Sequence, residues 1–136
     1  MMSALGRSWQ KRRGIALDLV PALSALALMF WFGLIPLDHL PGPQFELVDK
    51  VWHLVAFGGL AGLMSRAFVY FGRPPLSAAK EASLLAVTLG ALLEVLQSFT
   101  PYRSADWADF VADSLGVALA YAVLYGLDSA AQQGTA

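Results

Sequence analysis

The sequence predicts an all-α fold: a bundle of four transmembrane helices with both termini cytoplasmic. Three observations carry that prediction, namely a scarcity of charge, four long apolar stretches, and an uneven distribution of basic residues between the connections. Of 136 residues, 57% are hydrophobic and 14% charged, whereas an ordinary soluble domain carries roughly a quarter charged residues. Crossing the hydrocarbon core takes about 20 mostly apolar residues. Stretches 16–37, 50–71, 78–99 and 106–127 meet that length. They account for the whole chain as one integral membrane domain, with no room for a second.

Each stretch is bounded by residues that break helices. Pro36, Pro41, Gly42 and Pro43 follow the first, and Gly72, Arg73, Pro74 and Pro75 follow the second. Between the third and fourth the connection is short, about Thr100 to Ala105, and Pro101 cannot continue a helix. The last two spans therefore form a tight antiparallel hairpin. The first span follows Lys11, Arg12 and Arg13, as a signal peptide would. Its apolar run exceeds the usual 7–15 residues of a signal peptide, so a retained anchor is expected.

Orientation follows from the excess of Lys and Arg on the cytoplasmic side. Arg7, Lys11, Arg12, Arg13, Arg66, Arg73 and Lys80 fall on one side, and Lys50 and Arg103 on the other. Trp52, Tyr102 and Trp107 then belong at the outer interface, and Trp9, Tyr70 and Tyr125 near the inner one. His39 is expected in a solvated loop, and Asp18 as a solvated charge at a helix end. Gly58 and Gly62 form a G-x-x-x-G pair that permits close helix approach, with packing inside the chain favoured over a dimer.

On this topology the ionisable residues of the spans gather in the outer half. Asp49, Lys50 and His53 open the second helix, Glu94 and Gln97 lie in the last turns of the third, and Arg103 is in the hairpin. Asp106, Asp109 and Asp113 open the fourth helix at i, i+3 and i+7, a single stripe that Gly116 continues. At 1.5 Å per residue, His53, Glu94 and Asp113 lie at matching depths, roughly 6–10 Å in from the helix ends. Charged groups in a span normally face the bundle interior or a wet cavity. One polar pocket, open outward and lined by the second, third and fourth helices, is therefore expected. Its carboxylates outnumber its bases, so a proton or a cation must offset the surplus.

Several chemistries fit those residues. Glu94 and His53, with Asp106 and Asp109, are the candidates for acid/base work, although no nucleophile motif accompanies them and the sequence assigns no reaction. Arg103 and Lys50 are candidates for holding a phosphate, with Asp49, Gln97 and Asp113 completing a ligand-binding set. His53, Glu94, Asp106 and Asp109 are also zinc-type or harder-cation donors, but without a tight ligand motif no resident metal or other cofactor is expected. A wholly structural role, in which the polar groups staple helices together, and a proton-coupled transporter are the readings from other classes. The absence of cysteine excludes disulfides and thiolate chemistry. A net charge of −1 gives no reason to expect nucleic acid as a partner.

Taken together, Asp49-Lys50-x-x-His53, Glu94-x-x-Gln97 and Arg103-x-x-Asp106-x-x-Asp109-x-x-x-Asp113-x-x-Gly116 resemble the pattern of the VanZ-like family. The resemblance covers the chain from Asp49 to Gly116, in order and spacing. Asp113 departs from it, standing where the family more often has Asn. The resemblance implies a bacterial, multi-pass protein of the cytoplasmic membrane linked to the cell envelope. The phosphate-holding candidates Arg103 and Lys50 suit a lipid or lipid-linked phosphate of the envelope as partner, and the family's namesake is associated with resistance to the glycopeptide teicoplanin.

Overall fold

A computed structural model describes residues 14–36 and 46–134. Trp9, the basic residues of 7–13 and His39 lie outside them. Among the described residues there are four helices long and apolar enough to cross a membrane, and no strand. The first helix, α1 (Val20–Leu34), is entered through a π-helical turn, Ile15–Leu19. The cause of that turn is Pro21, which has no N–H to offer the carbonyl four residues back and would clash with it. The ladder slips by one residue, and Val20 N–H donates to the Ile15 carbonyl. Helices α2 (Glu46–Tyr70), α3 (Pro75–Gln97) and α4 (Trp107–Gln133) complete the bundle.

The boundaries differ from those expected by a few residues, for local reasons. Helix α1 stops at Leu34 rather than 37, because Ile35 precedes Pro36 and is pushed to an extended conformation, φ −85° and ψ 158°. Helix α2 ends in a Schellman turn: Gly72 sits at φ +89°, with Gly72 N–H on the Val69 carbonyl and Arg73 N–H on that of Phe68. Helix α3 begins at Pro75 rather than 78, since proline suits a first helical position where its missing N–H leaves nothing unpaired. Helix α4 runs on to Gln133, and Gln132 Nε2 donates to Asp128 Oδ2 one turn back at 2.7 Å.

Packing is layered along the bundle. Phe57, Ala61, Ala86, Leu93 and Val117 form one apolar cluster, and Ala22, Leu60, Met64, Ala67 and Ala82 form a second. Ala78, Ala79, Ala82 and Ala86 on α3 are all buried. Small side chains bring helices close, which is how membrane bundles gain dispersion contacts when lipid supplies no hydrophobic drive. Outside this interior the surface is apolar: Trp107 and Phe99 are each 81% exposed and Leu84 72%. An apolar surface this extensive suits lipid contact rather than water.

Helices α2 and α4 make the most extensive contact of the fold, and they meet through backbone. A Cβ on Gly58 would lie 2.8 Å from the Gly116 carbonyl oxygen, and one on Gly116 would run into the Leu54 carbonyl. Gly58 of the G-x-x-x-G pair thus packs within the chain, whereas Gly62 faces open space. Gly58, Gly59 and Gly62 also line an apolar groove of about 350 Å³ along the α2–α4 seam, with Leu54, Gly116 and Leu119.

Gly116→Ala is therefore expected to destabilise the bundle by about 1–3 kcal/mol, as overpacking does. Gly62→Ala should fall within about 0.5 kcal/mol of wild type. Unfolding titrations in detergent would check this, and equal effects at the two sites would refute the backbone contact.

Candidate functional site

The close approach of α2 and α4, which run in the same direction, places their polar residues in register. Lys50 Nζ donates to Asp106 Oδ2 at 3.2 Å and to Asp109 Oδ1 at 3.4 Å. One turn further along α2, His53 Nδ1 lies 2.9 Å from Asp113 Oδ1 and its Nε2 lies 3.9 Å from Asp109 Oδ2. Asp49 offers a carboxylate oxygen within 4.8 Å of ligand atoms of both His53 and Asp109. The helical spacing of Asp106, Asp109 and Asp113 thus becomes a ladder that α2 climbs with Lys50 and His53.

Burial increases down the ladder. Side-chain exposure is 46% at Asp106, 30% at Lys50, 9% at Asp109 and His53, and zero at Asp113. The upper rung meets solvent or headgroups, and the lower rung is sealed inside protein. Beneath it the His53 ring stacks on Phe57, with centroids 6.3 Å apart and planes 8° from parallel. Gly90 on α3 makes room for the lowest acid, because a Cβ there would sit 2.8 Å from Asp113 Oδ2 and 3.2 Å from Phe57.

Helix α3 contributes Glu94. One oxygen, Oε2, accepts the Asp106 backbone N–H at 2.7 Å and so ties the end of α3 to the start of α4. Asp106 is at the same time the N-cap of α4, its Oδ1 accepting from Ala108 N–H at 2.8 Å. That bond, assisted by the Lys50 ammonium, holds the Asp106 carboxyl below its ordinary range. The other oxygen of Glu94, Oε1, and Asp113 Oδ2 are both buried without a hydrogen-bond partner among the described residues.

The remaining two candidates serve helix α1. Arg103 donates from Nε to the Ile35 carbonyl at 3.2 Å and from Nη2 to the Phe32 carbonyl at 3.1 Å. Gln97 Nε2 donates to the Gly33 carbonyl at 2.9 Å. These are carbonyls that a helix C-terminus leaves without intrahelical partners, and a guanidinium there also suits the helix dipole. Six of the candidates, Lys50, His53, Glu94, Asp106, Asp109 and Asp113, are linked by hydrogen bonds or ion pairs, with Asp49 beside them, while Arg103 and Gln97 clasp α1. Asp18, expected to be solvated, instead takes Arg66 Nη2 at 2.8 Å and Nε at 3.2 Å. This second clasp lies at the opposite end of α1. Sequence reasoning missed both clasps: the acceptors of the first are backbone carbonyls, which leave no mark in side-chain identity, and Arg66 and Asp18 of the second lie 48 residues apart with no motif to join them.

A multi-pass membrane protein with a buried acid–imidazole ladder at one end of a four-helix bundle is the class that this fold and site define. Matching against family models agrees with it, since the VanZ/LLP1 model matches residues 3–128. The chain belongs to that family. No curated protein and no solved structure matches it.

Removing the guanidinium should free the end of α1. Arg103→Ala is expected to raise the accessibility of a cysteine placed at Ile35 to a water-soluble maleimide, with Arg103→Lys intermediate. Unchanged labelling would show that α1 is held by other means.

Asp106 carries a separate prediction. Asp106→Ala should cost about 1 kcal/mol through the lost cap, while Asp106→Asn keeps most of it. The carboxyl lies below its unfolded value, so its ionic contribution is complete above the usual carboxylate range and lost as pH falls through the folded value. Asp106→Asn should remove that acid-side dependence, which unfolding titrations across pH would detect.

Proposed function

We propose that this protein recognises the polar head of an envelope lipid or lipid-linked glycan precursor, at a site facing outward from a bacterial cytoplasmic membrane with both termini inside. The observation that carries this reading is the continuity of two surfaces on one helix pair. The acid–imidazole ladder ends at His53 and Asp113, and the apolar groove begins at Leu54 and Gly116 on the same seam. An amphiphile needs that combination: polar groups for its head, and beside them a furrow for its chain. The exposed acids at the rim favour a head rich in hydroxyl or amino donors, such as a glycan, since Lys50 is already engaged by Asp106 and Asp109. A link to teicoplanin-type resistance would follow if the bound molecule is a precursor that such antibiotics also meet.

The ladder supports binding more directly than chemistry, and no reaction is assigned. A proton-coupled carrier would need polar groups through the full depth of the bundle. Here the apolar layer of Phe57, Leu60, Ala61, Ala86 and Val117 stands between the ladder and the Arg66–Asp18 pair, which favours a one-sided site. A purely structural staple leaves the groove without a role.

Mass spectrometry of co-purifying lipids tests the proposal, on wild type, Glu94→Gln, Asp109→Asn and the groove-filling Gly62→Leu, all matched for folding by circular dichroism. A head-group-specific lipid present in wild type and depleted in all three variants is expected. The same lipid profile in all four would overturn the proposal.

A further inference from the structure

The base of the ladder poses an electrostatic question that its hydrogen bonds do not answer. Glu94 is 7% exposed and Asp113 fully buried, yet Glu94 Oε1 and Asp113 Oδ2 have no hydrogen-bond partner among the described residues. An unpaired carboxylate oxygen in a low-dielectric interior is expensive, and an imidazole alone cannot satisfy both acids. His53 Nδ1 is committed towards Asp113 Oδ1, and its Nε2 looks towards Asp109. The molecule thus holds two buried acceptor atoms, on two helices, beside one nitrogen donor atom on a third.

Geometry narrows what completes this set. His53, Glu94 and Asp113 each present a ligand atom, and these atoms lie within 4.8 Å of one another. All three residues are buried. Bond lengths to zinc-type ions are about 2.0–2.2 Å for both histidine nitrogen and carboxylate oxygen. Ligand atoms around such an ion sit roughly 3–4 Å apart at those lengths, so a small inward adjustment of side chains closes the set. Gly90 leaves that space on α3 by carrying no Cβ against Asp113 Oδ2.

We propose that His53, Glu94 and Asp113 bind one divalent transition-metal cation of the zinc type at the buried end of the ladder. One imidazole with two carboxylates suits zinc or a neighbouring first-row ion better than calcium or magnesium, whose sites are built from oxygen alone. The cation neutralises the two orphaned oxygens and cross-links α2, α3 and α4. Asp106, at the exposed rim, is not a member of the set, and Asp109 lies on the other side of the imidazole. The site stands apart from the lipid reading, because metal binding is measured with no lipid ligand present.

Cobalt(II) is the probe. Tag-free protein in nanodiscs of zwitterionic lipid is titrated with cobalt(II) and followed by its visible ligand-field absorption, with zinc(II) as competitor. One equivalent per chain is expected, displaced by zinc, with affinity reduced about tenfold or more in Glu94→Gln and Asp113→Asn, the loss seen when even indirect support of a metal ligand is removed. Asp128→Asn, on the exposed end of α4, should bind as wild type. No absorption band in wild type, or a band indifferent to Glu94→Gln and Asp113→Asn, overturns the proposal. Should those variants fail to fold, infrared difference spectra of wild type decide. Saturating zinc is expected to change the carboxyl and carboxylate bands, and a zinc-minus-apo spectrum with no change in those bands overturns the proposal.

Discussion

The backbone contact between α2 and α4 is the constraint on which the rest depends. With Gly58 and Gly116 facing each other, the two helices approach until carbonyl meets Cα. Only at that separation do Lys50 and His53 reach the acids of α4 at hydrogen-bonding distance. A side chain at either glycine would widen the seam and draw Lys50 and His53 away from the acids of α4. Small residues at a membrane interface are usually read as packing aids. Here they also set the geometry of an electrostatic device several residues away.

Helix α1 follows a different logic. Among its described residues only Ala22 is buried, so packing alone holds it weakly. Its attachment is polar and sits at its two ends: Gln97 and Arg103 on the carbonyls of Phe32, Gly33 and Ile35, and Arg66 on Asp18. Hydrogen bonds between membrane helices are worth about 0.6–2 kcal/mol each, so a few together hold a helix that otherwise touches mainly lipid. The bundle is a compact unit of α2, α3 and α4 with a clipped-on first helix.

Much of this was legible in the sequence, and the reasons are physical. Span number, the hairpin and the convergence of Lys50, His53, Glu94, Asp109 and Asp113 follow from length, breakers and helical period, which are one-dimensional properties. Helix ends were displaced where one residue's backbone chemistry decided them, as at Ile35 before Pro36 and at Pro75. The work of Arg103 was not legible, because its acceptors are main-chain atoms some seventy residues earlier. Nor could sequence divide the two oxygens of Glu94 between a hairpin bond and an unpaired position. Spacing brings residues to the same place; which atom faces which needs coordinates.

The rungs of the ladder join residues 56 to 60 positions apart, and that separation has a meaning in time. A ribosome adds about 5–20 residues per second. Lys50 and His53 therefore leave it roughly 3–12 s before the carboxylates that will hold them. For that interval Lys50 and His53 have Asp49 of their own helix beside them but none of the acids of α4, and the polar end of α2 is best placed among headgroups. The acids of α4, delivered behind α3 in a hairpin stitched by the Glu94–Asp106 bond, are the last part of the ladder to be made.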